Sequence, residues 1–247
     1  SQHYGFKVVD DASHGFGGTY RKEVIGNCLY SDITILSFHA IKIITTGEGG
    51  MLITSNKKIY SRVRILRLHG LTKDAWTRYL PNSLSYKTKF QHYDVSEIGL
   101  KYNMIDLNAS LGIPQLLNIE KSLIKRKKIY NFYLKNLKNL PIKFQKINPY
   151  PNKFAYHLFL IIIDKSKTKK KRDNLINFLI NNKIGAGVNY RTVTDMSIYK
   201  KNYKWNDHIC PNAKKIGDNI LSLPLYPSLK ISELKYIVSK IDEFFKK

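Results

Sequence analysis

Cysteine is almost missing from this chain. Among 247 residues only Cys28 and Cys210 occur, far apart and without metal-ligand spacing, which argues against a disulfide framework or a zinc module and for two free thiols in a reducing compartment. Long apolar runs are missing as well. No stretch of 18 apolar residues exists, so no membrane-spanning helix is expected. The opening Ser1-Gln-His-Tyr-Gly-Phe-Lys-Val-Val-Asp10 does not make a signal peptide, and the chain is read as cytoplasmic. There are no internal repeats, coiled-coil heptads or metal boxes. Acidic residues are scarce, 18 against 42 basic, giving a net charge of +24. Such a charge attracts polyanions. However, the lysines are scattered, and the one dense cluster is Lys165-Ser-Lys-Thr-Lys-Lys-Lys-Arg172. Lysine, asparagine and isoleucine are abundant together, as in an AT-rich coding sequence, so nucleic acid is not expected as a partner.

What is present is a globular composition, 43% apolar and 12% aromatic, long enough for a substantial core in one or two domains. Phe6–Val9 reads as a buried strand followed by the glycine-rich loop Asp10-Asp-Ala-Ser-His-Gly-Phe-Gly-Gly18. Ile33–Leu36 and Met51–Thr54 are short β-branched or apolar runs. They are joined by a polar connection ending in Gly47-Glu-Gly-Gly50, a turn composition. Lys58–His69 has apolar residues at Ile59, Val63 and Leu66, with Leu68 off the stripe: an amphipathic helix with a basic outer face. A long polar loop, Leu80–Val95, follows. Leu107–Leu140 predicts one long helix with an early kink at Pro114 and Asp106 as its N-cap-like residue. Beyond it, Tyr156–Ile163 reads as a strand, Arg172–Asn182 as a helix with Leu175, Phe178 and Leu179 inward, Ile184–Arg191 as a further strand, and Ser232–Phe245 as an amphipathic helix.

One lysine stands out. Lys42 sits in the connection between the two short strands, amid Phe38, Ala40, Ile41, Ile43 and Ile44. A lysine stem often covers apolar surface while its head stays wet. A desolvated lysine instead loses its charge readily and can form a Schiff base with a carbonyl. Spacing alone does not choose between these.

The stretch Ser37-Phe-His-Ala-Ile-Lys42 with Thr45-Thr-Gly-Glu-Gly-Gly50, and the block Gly99-Leu-Lys-Tyr-Asn-Met-Ile-Asp-Leu-Asn-Ala-Ser-Leu-Gly-Ile-Pro-Gln115, resemble the motifs of the DegT/DnrJ/EryC1/StrS sugar-nucleotide aminotransferases. The resemblance spans nearly the whole chain. It implies an α/β protein of pyridoxal phosphate (PLP) fold-type I, aspartate aminotransferase-like: the C-terminal part of a large mixed-sheet domain (1–106), a linking helix (107–140) and a small α+β domain (141–247). Family members are considerably longer, so the resemblance further implies that the chain is a fragment or the C-terminal portion of a larger product.

By the same resemblance, Lys42 is the Schiff-base lysine, Asp11 the partner of the pyridine nitrogen, and His14 a neighbour of the cofactor. Ser37 and Asn103 reach the cofactor phosphate, Asn103 from the other subunit of a homodimer. Lys101, Tyr190 and Arg191 are candidates for the substrate, an arginine suiting a diphosphate through its planar fork of donors. On the residues alone, Asp11 can equally be loop punctuation, His14 a hydrogen-bonded loop histidine, and Tyr190 and Arg191 a surface strand end. His39 has no assigned role. Many family members carry histidine where this chain has Asn189. The resemblance implies transamination of a UDP- or dTDP-linked 4-keto-6-deoxy sugar, at C4, with glutamate as amino donor. The His69…Trp76 pattern and Lys101–Asn103 look like that branch. Two alternatives stand beside this: a PLP sugar dehydratase on the same fold, in which histidine replaces the lysine, and a non-catalytic fragment.

Overall fold

A computed structural model describes residues 1, 3–72, 93–146, 150, 152–206 and 208–246. The expected polar loop lies mostly outside the described residues, as do Lys73–Tyr79 of the His69…Trp76 pattern. The chain divides into two compact units, Ser1–Ile119 with Pro151–Ala155, and Glu120–Tyr150 with Tyr156–Lys247.

The first unit is built on a three-stranded mixed sheet in the order β1 (Val9–Asp11), β4 (Ile33–Ser37), β5 (Gly50–Ile53). β1 runs parallel to β4, with Asp11 opposite Ile35, and β4 pairs antiparallel with β5, Ser37 opposite Gly50. The expected first strand therefore starts later: Phe6 to Val8 precede the ladder and the acidic pair Asp10–Asp11 lies within it. Between β1 and β4 a small hairpin, β2 (Thr19–Tyr20) and β3 (Glu23–Val24), turns on Arg21 and Lys22, both at positive φ as a two-residue hairpin turn requires. The apolar nucleus is Ala12, Leu36, Phe38 and Ile44, with Phe16, Ile25, Ile53 and Met104 packed around it. Phe16 meets Phe38 edge-on, ring centroids 6.0 Å apart, the arrangement that aromatic quadrupoles favour.

Helix α1 (Lys57–Leu66) opens on Asn56, whose side-chain oxygen accepts the Lys58 and Ile59 amides at 2.9 and 3.2 Å, and its first orphan donors are thereby satisfied. The single long helix expected over 107–140 is instead two, α2 (Asp106–Leu117) and α3 (Ile119–Leu137). Pro114 lies inside α2. The break comes at Asn118, whose φ of −106° leaves the helical region, and its side-chain amide donates to the Pro114 carbonyl at 3.0 Å. That carbonyl is one the helix would otherwise pair with Asn118's own amide. Asp106 is the first residue of α2 and makes no capping bond, Ile105 occupying the cap position.

The second unit is an antiparallel sheet, β6 (Ile142–Phe144), β7 (Phe159–Ile163), β8 (Ile220–Leu223), in that order. It is packed with α3, α4 (Arg172–Asn181) and α7 (Ile231–Lys246). β7 alternates, with Phe159, Ile161 and Ile163 buried. The buried residues of α3 are Leu123, Arg126, Ile129, Tyr130, Tyr133 and Leu137, a stripe that recurs at the three- and four-residue spacing of one helix face. Arg126 is the unexpected member. It is 5% exposed, and its Nη1 donates to the carbonyls of Tyr156, His157 and Leu225 at 3.4, 3.4 and 3.0 Å. The guanidinium thus ties α3 to the entrance of β7 and the exit of β8.

The basic run 165–172 is put to similar use. Lys165 Nζ donates to the Lys169 and Lys170 carbonyls, closing its own turn. Lys170 donates to the Phe244 carbonyl in the last turn of α7, and Arg172 to the Gly217 carbonyl near the end of α6 (Pro211–Asn219). Helix C-termini carry unpaired carbonyls and a partial negative charge, which such cations satisfy.

Asp164, buried at the head of this run, receives the Ser166 hydroxyl at 2.7 Å and pairs with Lys143 at 3.0 Å. The Ser166 hydroxyl and then Lys143 hold its carboxyl down at about 2, from 3.8. Stability from a depressed acid is present above the unfolded value and lost as the folded one is approached. Acid unfolding of this unit should therefore steepen between pH 3.8 and about 2. Asp164→Asn should flatten that limb in a circular-dichroism pH titration, and an unchanged limb would remove Asp164 from the account.

Candidate active site

The candidate residues of the first unit gather at the carboxyl ends of its parallel strands, where open α/β sheets place ligands. Asp11 is the last residue of β1 and Ser37 the last of β4. Lys42 stands on the loop from β4 to β5. That loop folds back on itself. Lys42 N–H donates to the His39 carbonyl at 2.9 Å, Thr46 N–H and Thr45 Oγ1 both donate to the Phe38 carbonyl, and Phe38 N–H donates to the Gly49 carbonyl at 2.8 Å. Phe38 before the lysine and Ile43, Ile44 and Thr46 after it are buried, which anchors the loop on either side of a half-buried Lys42. Gly49 is needed where it stands: a Cβ there would lie 2.5 Å from the Met104 methyl and 2.6 Å from Thr46 Oγ1.

Asp11, His14 and Lys42 form one electrostatic group. The Ser13 hydroxyl donates to Asp11 Oδ1 at 2.5 Å and the Ser13 amide at 3.1 Å. These two bonds, with His14 and Lys42 nearby, hold the Asp11 carboxyl below the usual carboxylate range. Burial pushes the Lys42 amine below the ordinary lysine value, and Asp11 opposes part of that fall. Burial and the Lys42 charge likewise lower His14, with Asp11 again opposing. At neutral pH the group therefore has a firmly ionised acid, a histidine biased to its neutral form, and an amine released more readily than a surface lysine's. That is the combination from which a lysine acts as nucleophile and base.

The other expected residues fall into three places. Ser37 Oγ accepts the His39 amide at 3.4 Å, at the mouth of the lysine loop. Lys101 Nζ donates to Asn103 Oδ1, and Lys101 also bridges Leu68, so these two pair with each other within the first unit. Tyr190 and Arg191 belong to the second unit and are exposed. Ile184–Arg191 forms no continuous strand. Gly187 alone bridges Ser222, because glycine at 185 and 187 supplies no side chain for a ladder to pack. Asn189 Oδ1 accepts the Ser222 hydroxyl at 2.7 Å, which ties it to β8. His39 bonds locally, its Nδ1 accepting the Ile41 amide, with Glu48 3.6 Å from its Nε2.

Ser13 was not foreseen. The signal for it is the Asp-Ala-Ser spacing, in which an aspartate bonds the residue two positions on. Among the described residues no group of His, Cys, Asp and Glu is arranged for a metal ion, and no helix is long and apolar enough to cross a membrane.

Comparison with known proteins meets this geometry from the outside. The model of the DegT/DnrJ/EryC1/StrS aminotransferase family matches residues 1–242. The uncharacterized protein MJ1066 of Methanocaldococcus jannaschii is 34% identical over 238 residues, which are 96% of this chain and 60% of that protein. SpsC of Bacillus subtilis, a spore coat polysaccharide biosynthesis protein, is 32% identical over 247 residues, 100% of this chain and 61% of SpsC. Among solved structures, Spr1654 of Streptococcus pneumoniae, assigned as a sugar aminotransferase, superposes in its PMP-form with a TM-score of 0.83 at 28% identity, covering 98% of this chain and 59% of that one. Its PLP-form superposes with a TM-score of 0.82 at 26% identity. This chain thus spans about three-fifths of the length of the relatives it matches. The cofactor of the family is pyridoxal phosphate and the fold is the α/β fold-type I. With the family model matched over all but the last five residues, the chain belongs to the DegT/DnrJ/EryC1/StrS aminotransferase family.

Proposed function

We propose that this chain carries the lysine half of a PLP-dependent aminotransferase that acts on a nucleotide-linked 4-keto-6-deoxy sugar, at C4, with glutamate as amino donor. The observation that carries the reading is the Lys42 amine, lowered by burial and coupled to the Asp11 carboxylate at the carboxyl end of the parallel strand pair. The residues fit the group. Lys42 offers a nitrogen that burial makes easier to deprotonate than an ordinary lysine's, Asp11 an acid that stays ionised to face a ring nitrogen, and Ser37 a hydroxyl at the strand end for a phosphate. When bound, pyridoxal phosphate supplies an electron sink for charge developing on a carbon beside nitrogen. Lys42 would hold it through Nζ and, once freed, move a proton at that nitrogen. Asp11 would keep the ring nitrogen charged, and His14 would flank the ring.

Lys42 itself disfavours the sugar dehydratase reading, which needs histidine at that position. Arg191, Tyr190 and Lys101 are the proposed contacts to substrate, the cations suited to a nucleoside diphosphate. A homodimer is proposed on a different observation. Helix α2 has no buried residue, and Leu107, Leu111, Ile113, Leu116 and Leu117 are all exposed, as is Ile98 upstream. Exposed apolar side chains around a helix that buries none of its residues mark an interaction surface, and Asn103 precedes that helix in the chain.

The test is an amination assay with glutamate and a panel of UDP- and dTDP-4-keto-6-deoxy sugars, using the polypeptide at the length its gene encodes. Formation of 2-oxoglutarate together with a 4-amino sugar supports the reading. Amination of a 3-keto sugar alone, or elimination without amination, would replace it.

A further inference from the structure

We propose that Gln115 is the positioning residue for Lys42: from α2 its side-chain amide grips the backbone of Thr45 at both ends and so fixes the loop on which the lysine stands. The inference rests on the reading of Lys42 given above.

Gln115 Oε1 accepts the Thr45 N–H at 3.0 Å, and Gln115 Nε2 donates to the Thr45 carbonyl at 2.8 Å. The same Nε2 donates its second hydrogen to Leu111 one turn back, at 2.6 Å. Every polar group of the amide thus has a partner, and its orientation is dictated: nitrogen toward two carbonyls, oxygen toward one N–H. Glutamate, the same size, would set a carboxylate oxygen against those carbonyls. Alanine would leave both Thr45 groups unpaired.

Among the described residues the loop's backbone amides otherwise bond within residues 37–50, whereas Gln115 reaches it from 70 residues away in sequence. α2 can come that close because Gly112 faces Thr46, where an added Cβ would lie 3.2 Å from the Thr46 methyl. Thr45 is three residues from Lys42, a span of at most ~10 Å of chain. Loosening the grip therefore moves the lysine relative to Asp11, which stands on a separate strand. A displacement of about 1 Å at a reacting group costs on the order of 10²-fold in rate.

The experiment compares the wild-type chain with Gln115→Ala and Gln115→Glu by two measurements that need neither cofactor nor turnover. One is hydrogen exchange at the Thr45 amide. The other is peptide-mapped reductive methylation of Lys42 as a function of pH, with the exposed Lys121 as internal control. In Gln115→Ala, which removes the acceptor of the Thr45 N–H, Thr45 exchange should rise by roughly tenfold, the size of one lost hydrogen bond; in Gln115→Glu, where a carboxylate oxygen can still accept that N–H but repels the two carbonyls, the rise should be smaller. The Lys42 profile should shift upward toward that of an ordinary lysine as burial is relieved, with Lys121 unmoved. A Thr45 amide as protected as in wild type, in variants that keep their melting curve, overturns the proposal. So does faster Thr45 exchange with an unmoved Lys42 profile, which would make the grip a matter of loop stability alone. Retained transamination in a Lys42 variant would instead strike the functional reading and leave these two measurements standing.

Discussion

Replacing Lys42 by alanine should lower transamination by a factor on the order of 10⁴ or more, the upper range of what a single positioned acid–base group contributes, since this residue would also hold the cofactor. The loss should come with two further signs. The wild-type polypeptide incubated with pyridoxal phosphate should gain a violet-edge absorption band that borohydride fixes to the peptide containing Lys42, and Lys42→Ala should lose both. Lys42→Arg should not restore activity, because a guanidinium does not deprotonate in a protein and cannot serve as nucleophile or base. Folding should be little affected, because the lysine is only half-buried and the bond that ties residue 42 into the loop runs from its backbone amide to His39. Near-normal turnover in Lys42→Ala would end the assignment.

The lysine loop is legible in the sequence because its composition is extreme. Two apolar runs flank it, Gly47 to Gly50 close it, and the ladder of β4 with β5 lies within a residue of the expected runs. β7, α4 and α7 were legible for the same reason: Phe159, Ile161 and Ile163 alternate, and Leu175 with Leu179, or Leu234 with Ile237 and Ile241, repeat at helical spacing on buried faces. What sequence periodicity could not give is side-chain chemistry set by distant partners. Arg126 reads as one of many cations, yet three carbonyls hold it in the core of its unit. Lys165, Lys170 and Arg172 look like a polyanion patch, yet each is bound to backbone carbonyls. Asn118 carries no strong breaking propensity. The long helix ends there because its side chain takes over a backbone bond, which only the folded chain reveals. Ile184–Arg191 failed as a strand for the opposite reason: its β-branched residues are outvoted by two glycines, and one bridge to Ser222 is all that forms.

Asp11→Asn should lower kcat by on the order of 10²-fold to 10³-fold, the cost of removing one preorganised charge aimed at a reacting centre. Its diagnostic value lies in the sign of a second effect. The Asp11 carboxylate raises the Lys42 amine against the downward push of burial, and raises His14 in the same way. Removing its charge while keeping its shape should therefore let both groups fall further, so the Lys42 methylation profile should move to lower pH. That is opposite to the shift expected when the loop is loosened from Gln115, where burial is the contribution lost. Ser13 supplies the intermediate case: without its hydroxyl the Asp11 carboxyl loses the largest cause of its depression. Ser13→Ala should then raise the pH at which the acid limb of activity falls, while leaving activity near neutrality close to wild type. Were Asp11→Asn to move Lys42 upward or leave it in place, the carboxylate would not be acting on this amine, and the three-residue group at the strand ends would have to be given up.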